Sequence, residues 1–171
     1  VIREKGTNRS AFFRGDVDKY GWVDMGSSFL PSDIISAFLF AQLENLQKIQ
    51  DRRKQIWKLY DSRFQILKKA NKLTLPFLPD FATNNAHMYY LVCNNLTERT
   101  DLINYLKERG INAVFHYQSL HKSAYYFDKH DQRELPYADK YTDCLLRLPM
   151  FYELTDQQVE MIADKIIQFY N

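Results

Sequence analysis

Apolar residues recur at helical spacing through positions 34–67 and then gather into short dense runs over the rest of the chain. Pro31 suits the first position of a helix, with Ser32 and Asp33 placed where small polar and acidic groups favour a helix start. No Gly or Pro follows until Pro76, so the pattern predicts one continuous helix from Pro31 to about Ala70. Its length would be ~58 Å from the helical rise per residue, more than a small domain is wide. The apolar stripe reads Ile35, Leu39, Leu43, Leu46 and resumes at Trp57, Tyr60, Phe64, Leu67. Between the halves it crosses the polar run Gln50–Gln55. Two readings fit: a bridge between two bodies with a wet middle, or an ordinary helix pair with a solvated kink.

Beyond the helix, prolines at 76 and 79 make the segment from Leu73 to Pro79 extended. His87–Cys93 reads as a central strand and Asn112–Phe115 as a second one. Between them Thr97–Arg109 has the pattern of a helix, with Leu102, Ile103 and Leu106 inward and Gly110 just past its end. A further helix enters through Pro136 and runs to about Leu146, and Leu146–Pro149 is extended. Thr155 and Gln158 have capping-box spacing for a last helix that buries Val159, Ile162, Ala163, Ile166, Ile167 and Tyr170. The alternation of strands and helices from about residue 71 onward implies a compact α/β layer.

The residues before Pro31 have another character. Gly6, Gly15, Gly21 and Gly26 are four of the chain's five glycines, and Phe12, Phe13, Tyr20 and Trp22 lie among them with Asn8, Arg9 and Arg14. That mixture suits a protruding hairpin that docks on a surface or grips an anionic, ring-bearing ligand. The 15% aromatic content, with 12 Phe and 12 Tyr, supplies buried core and interface area, or rings for stacking. A net charge of +2 from 23 basic and 21 acidic residues leaves no electrostatic footprint for nucleic acid. Cys93 and Cys144, far apart in apolar surroundings, read as buried free thiols of a reducing, cytoplasmic compartment. No run long and apolar enough to span a membrane is present, and no Cys or His spacing suits a metal. The start at Val1-Ile2 without Met reads as a fragment or a processed terminus.

The run REKGTNRSAFFRGDVDKYGW, then DMGSSFLPSD, AQLE, FHYQSLH at 115–121 and RLPMFYELT at 147–155 resembles the sugar-nucleotide aminotransferases, pyridoxal-phosphate enzymes of aminotransferase fold type I. Within them the likeness is nearest to the dTDP-4-amino-4,6-dideoxygalactose transaminase type, which serves surface-polysaccharide synthesis of the O-antigen or common-antigen kind. The resemblance implies only the C-terminal part of such an enzyme. Residues 1–30 would be an interface and substrate arm, 31–70 the bridging helix and 71–171 the small C-terminal domain. It implies pyridoxal 5'-phosphate as cofactor, L-glutamate and a nucleotide-linked 4-keto-6-deoxy sugar as substrates, and a homodimer with the active site at the subunit interface. It also implies that the apolar half of the helix, Ile34, Ile35, Phe38, Leu39 and Leu43, packs on a large domain and is sticky without it.

Site residues follow from the same resemblance. The family's Ser-x-His-x-x-Lys stretch, which supplies the lysine that carries the cofactor, has no counterpart among these residues, so no catalytic residue is assigned and the fragment alone is expected to be inactive. Relatives carry Gly-x-Asn-x-Arg before the bridging helix, where the asparagine reaches the cofactor phosphate of the neighbouring subunit. Here the stretch is Gly26-Ser27-Ser28-Phe29-Leu30, which makes Ser27 and Ser28 the cofactor candidates and removes the arginine. Asn8, Arg9, Arg14, His116, Tyr117 and His121 are the substrate-binding candidates, with Ser119 where the family's loop has proline. Plain helix capping, a solvated hairpin and satisfied structural histidines are the bland readings of these three groups. His87 reads as structural and His130 as exposed. A dehydratase of the same family and a non-catalytic α/β interaction module are the alternative functions.

Overall fold

The computed structural model describes residues 1–171, which divide into two compact bodies, Val1–Leu46 and Gln47–Asn171. In the first body, single antiparallel bridges join Glu4 to Ser28 and Thr7 to Trp22. A short helix α1 (Arg9–Phe13) turns the arm at its tip, and α2 (Asp33–Glu44) follows. Ser32 caps α2 by accepting from the Ile35 amide at 3.4 Å, and Asp33 stands in the first turn.

The single helix expected from Pro31 to Ala70 is instead two, because α2 closes at Asn45 and α3 spans Leu46–Lys69. The Asn45 amide donates to the Gln42 carbonyl at 3.1 Å, a tightened last turn, while its side chain donates back to the Ala41 carbonyl at 3.0 Å. A short amide side chain that competes for backbone acceptors ends a helix where composition alone shows no breaker.

The second body is built on α3. Ile56, Tyr60, Phe64 and Leu67 are buried along one face, with Tyr60 and Phe64 stacked at 5.9 Å and Trp57 edge-on to Tyr89 at 5.3 Å. The polar middle of the predicted helix is wet on one side only: Asp51, Lys54 and Gln55 are exposed, whereas Arg52 and Arg53 are partly buried. Arg52 pairs with Asp156 at 2.7 Å and reaches the Leu154 carbonyl. Arg53 donates to the carbonyls of Ala86 at 3.0 Å, His87 at 2.5 Å and Met150 at 3.4 Å. Guanidinium groups that satisfy loop carbonyls are a polar seam inside the fold, and periodicity reads such a seam as solvent-facing.

Three short strands form an antiparallel sheet in the order β1-β3-β2, with β1 Tyr90–Val92, β2 Val114–Phe115 and β3 Leu145–Arg147. The central strand is therefore β3, and β1 lies between it and a bridge to Thr74. Helix α4 (Leu96–Lys107) starts at Asn95, whose side chain accepts from the Glu98 amide at 2.9 Å. Gly110, at φ 74°, follows where only an achiral residue is unstrained. Helix α5 (Pro136–Cys144) leads directly into β3, and α6 (Asp156–Tyr170) begins with the expected Thr155–Gln158 capping box. One core joins Leu91, Leu102, Leu106, Leu146, Val159, Ile162, Ala163 and Ile166 with the buried face of α3, while Ile167 and Tyr170 are partly buried against it. Cys93 and Cys144 are free and buried, and burial pushes the Cys93 thiol up to about 12. No helix is long and apolar enough to cross a membrane.

Candidate functional site

The first body holds a cavity of about 390 Å³ lined by Arg3, Lys5, Arg9, Tyr20, Trp22 and Ser28, with Glu4 at its wall. Its shape depends on two glycines. Gly6 sits at φ 75°, and a Cβ there would lie 1.8 Å from the Asp24 carbonyl oxygen; one at Gly26 would lie 2.2 Å from the Gly6 nitrogen. Two backbone segments meet where only hydrogen fits, and the antiparallel bridges then turn Ser28 and Trp22 toward the same hollow as Arg9. Trp22 stays 80% exposed, an indole open to a stacking partner. Glu4 accepts from the Ser10 hydroxyl at 2.6 Å, and that bond holds its carboxyl below the usual carboxylate range.

Of the five candidates in this body, Arg9 and Ser28 line the cavity. Asn8 is a clamp on the arm: its side chain accepts from the Gly21 amide at 2.8 Å and its own amide donates to the Gly21 carbonyl at 3.2 Å. Arg14 pairs with Asp16 at 2.9 Å in solvent. Ser27 is held through its backbone, to the Ile2 carbonyl and from the Lys5 amide. Sequence reasoning did not single out Arg3 and Lys5. Their place at the cavity rests on the bridge that pairs Glu4 with Ser28, a long-range contact that residue types alone do not show. The cationic donors and the Ser28 hydroxyl fit a phosphate group, the part of pyridoxal phosphate that a protein holds by charge-assisted hydrogen bonds.

In the second body the three loop candidates separate into two clusters. His116 follows β2, half-buried, with its ring 5.1 Å from that of Tyr117. Burial, together with the nearby charges of Arg147 and His87, lowers its pKa from the ordinary 6.5. The Arg147 guanidinium lies 5.8 Å from the Tyr117 ring centroid. His121 stands apart, with Nε2 3.0 Å from Asp139 Oδ1 and its ring 5.3 Å from His130. Lys122 binds the other Asp139 oxygen at 2.9 Å, and this lysine, followed by the histidine, holds the carboxyl below its usual range. His130 is half-buried against His121, not exposed as expected, because its ring also contacts the Arg133 carbonyl at 3.1 Å. His87 is exposed and its Nδ1 lies 3.1 Å from the Asn85 side-chain oxygen.

Comparison with known proteins is consistent across the whole chain. Helicobacter pylori PseC, an aminotransferase involved in the biosynthesis of pseudoaminic acid, superposes with a TM-score of 0.81 at 22% identity, covering 99% of this chain and 44% of PseC. Streptococcus pneumoniae Spr1654, solved in its pyridoxal-phosphate form, gives 0.81 at 22% identity over 98% of this chain and 41% of that one. An aminotransferase from Brucella abortus gives 0.77 at 25% identity, over 95% of this chain and 42% of that one. The chain thus spans less than half the length of the structures it matches, and its fold is that of pyridoxal-phosphate-dependent aminotransferases. Residues 1–167 match a sequence family whose members use that cofactor, and on this match the chain belongs to the DegT/DnrJ/EryC1/StrS aminotransferase family.

Proposed function

We propose that the chain is the C-terminal part of a pyridoxal-phosphate-dependent aminotransferase that moves an amino group from L-glutamate to a dTDP-4-keto-6-deoxyhexose for surface-polysaccharide synthesis. The cavity of the first body carries this reading: three cations, an exposed indole and a hydroxyl around one hollow suit a ligand that is both anionic and aromatic. Bound pyridoxal phosphate supplies an electron sink for amino transfer. The residues of this chain bind and orient. Arg3, Lys5 and Arg9 neutralise phosphate charge, Ser28 donates a hydrogen bond, and Trp22 offers a face to a nucleobase. His116 and Tyr117 meet the sugar side, and the active enzyme is a homodimer.

Trp22 makes the reading testable, because the only other tryptophan, Trp57, packs against the core. Titration of the chain with dTDP is expected to quench Trp22 emission saturably. Arg9→Gln should weaken the apparent affinity by roughly tenfold, the worth of one charge-assisted hydrogen bond. Quenching that is equal for dTDP and for free thymidine would remove the role given to the cations. In the longer protein, L-glutamate and the 4-keto sugar nucleotide should yield 2-oxoglutarate and the 4-amino sugar. A dehydrated sugar without amine would instead select the dehydratase.

A further inference from the structure

Four buried side-chain polar atoms lack a hydrogen-bond partner: Arg63 Nε, His116 Nδ1, Ser119 Oγ and Arg147 Nε. Arg63 Nε is nonetheless 3.0 Å from Glu160 Oε2, so its charge is paired. The other three fall on one stretch of the fold, the end of β2 with its following loop and the neighbouring strand β3. Folded proteins rarely bury polar atoms without partners, and a cluster of them marks a place where something else binds.

The register explains why they gather. Arg147 stands opposite Tyr90 on one side and Val114 on the other, and His116 lies two residues beyond Val114, on the same pleat face. The other arginines of this body are satisfied. Arg52 pairs with Asp156, Arg63 with Glu160 and Asp164, Arg109 with Glu108 and Arg133 with Asp131, while Arg53 and Arg99 hold backbone carbonyls. Arg147 has no carboxylate partner, only the Phe115 carbonyl at a long 3.4 Å and the Tyr117 ring. The titratable groups around the pair are His116 and Tyr117, His87 beside His116 and Tyr90 across the register, none of them anionic at neutral pH. A half-buried guanidinium with no carboxylate partner and an unpartnered Nε–H, in an electropositive corner, is arranged to receive an anion.

The geometry points to Arg147 and His116 as a shared receptor for one anionic group, a carboxylate or a phosphate, on the β2–β3 face. The unpartnered Arg147 Nε–H and His116 Nδ1 supply the donors, and the Tyr117 ring lies beside the guanidinium. This goes beyond the role of His116 in the proposed function by adding Arg147 and the charge of the group it receives. It rests on that reading only for the source of the anion: the carboxylate of the amino donor or the phosphates of a sugar nucleotide.

The test uses the chain itself, labelled with nitrogen-15, with the four histidine rings followed by NMR and the His116 signal assigned through His116→Gln. Pyrophosphate is titrated in one arm and L-glutamate in the other, against sodium chloride at matched ionic strength. At least one anion should shift the His116 ring signals saturably and raise its pKa. Arg147→Gln should weaken that binding by about tenfold or more, with Arg147→Lys keeping part of it. Saturation by pyrophosphate alone assigns the phosphate, and saturation by glutamate alone assigns the donor carboxylate. No shift beyond the chloride control, or an undiminished shift in Arg147→Gln, overturns the receptor. If the amide spectrum shows Arg147→Gln unfolded, Arg147→Lys decides on its own, and unchanged affinity there overturns it too. Binding is read without turnover, so a longer enzyme that fails to transaminate leaves this result standing and sinks only the proposed function.

Discussion

Each of the two bodies keeps its own shape, and the two do so by opposite means. The second has a continuous buried core of aliphatic and aromatic side chains joined across three helices, α3, α4 and α6, and a sheet. The first has almost none: α1 and α2 bury no residue, Thr7 is the one buried side chain of the arm, and Phe38 is 70% and Ile34 83% exposed. Its shape comes from backbone bridges, from the Asn8–Gly21 clamp and from two glycines in mutual contact. Core packing averages over many contacts, whereas a shape set by close backbone approach fails at a single atom.

Mutations should separate these regimes. The largest effect is expected from Phe64→Ala, which removes a fully buried ring stacked on Tyr60. Chemical denaturation should show a loss of ~3–5 kcal/mol for the second body. A loss below ~1 kcal/mol would mean that this packing is not the source of stability.

Gly6→Ala comes next. The left-handed backbone alone costs a residue with a Cβ about 1–2 kcal/mol, and the clash with the Asp24 carbonyl adds to that. The arm should become sensitive to trypsin at Arg9 and Arg14 while the denaturation midpoint of the second body stays in place. A shift of that midpoint would show that the two bodies are not energetically separate.

The smallest effect is a gain. Ser119 has φ −68° and ψ 136°, its hydroxyl is buried without a partner, and its amide makes no backbone hydrogen bond. Ser119→Pro should therefore stabilise the chain by about 0.4–1 kcal/mol through the unfolded state. The loop already has the conformation that the family's proline would impose, and destabilisation on thermal melting would contradict that.

What was legible in the sequence was local. The Thr155–Gln158 cap, Gly110 past the end of α4, Pro136 at the start of α5 and the inward face of α6 each follow from rules that act within one helical turn. What was not legible depends on partners far along the chain. Arg53 looks solvent-facing until residues 86, 87 and 150 are brought to it, and His130 looks exposed until it meets His121. The arm's cavity shows the same limit. Arg9 and Ser28 could be nominated by residue type, but Arg3 and Lys5 join them only once the bridge register is known. The break at Asn45 was local yet hidden, because an asparagine inside an amphipathic run is ordinary until its side chain bonds backward.

The three carbonyls gathered on Arg53 have a kinetic consequence. Its bonds close loops of 33, 34 and 97 residues, whereas the stacked rings of α3 are four residues apart. Loop-closure entropy burdens contacts of that span more than the local stacking within α3, so the stacked rings can form before the Arg53 bonds do. Such bonds add little to the speed of folding, and their presence chiefly slows its reversal. The turns that carry His87 and Met150 thereby lock after the α3 stack has formed.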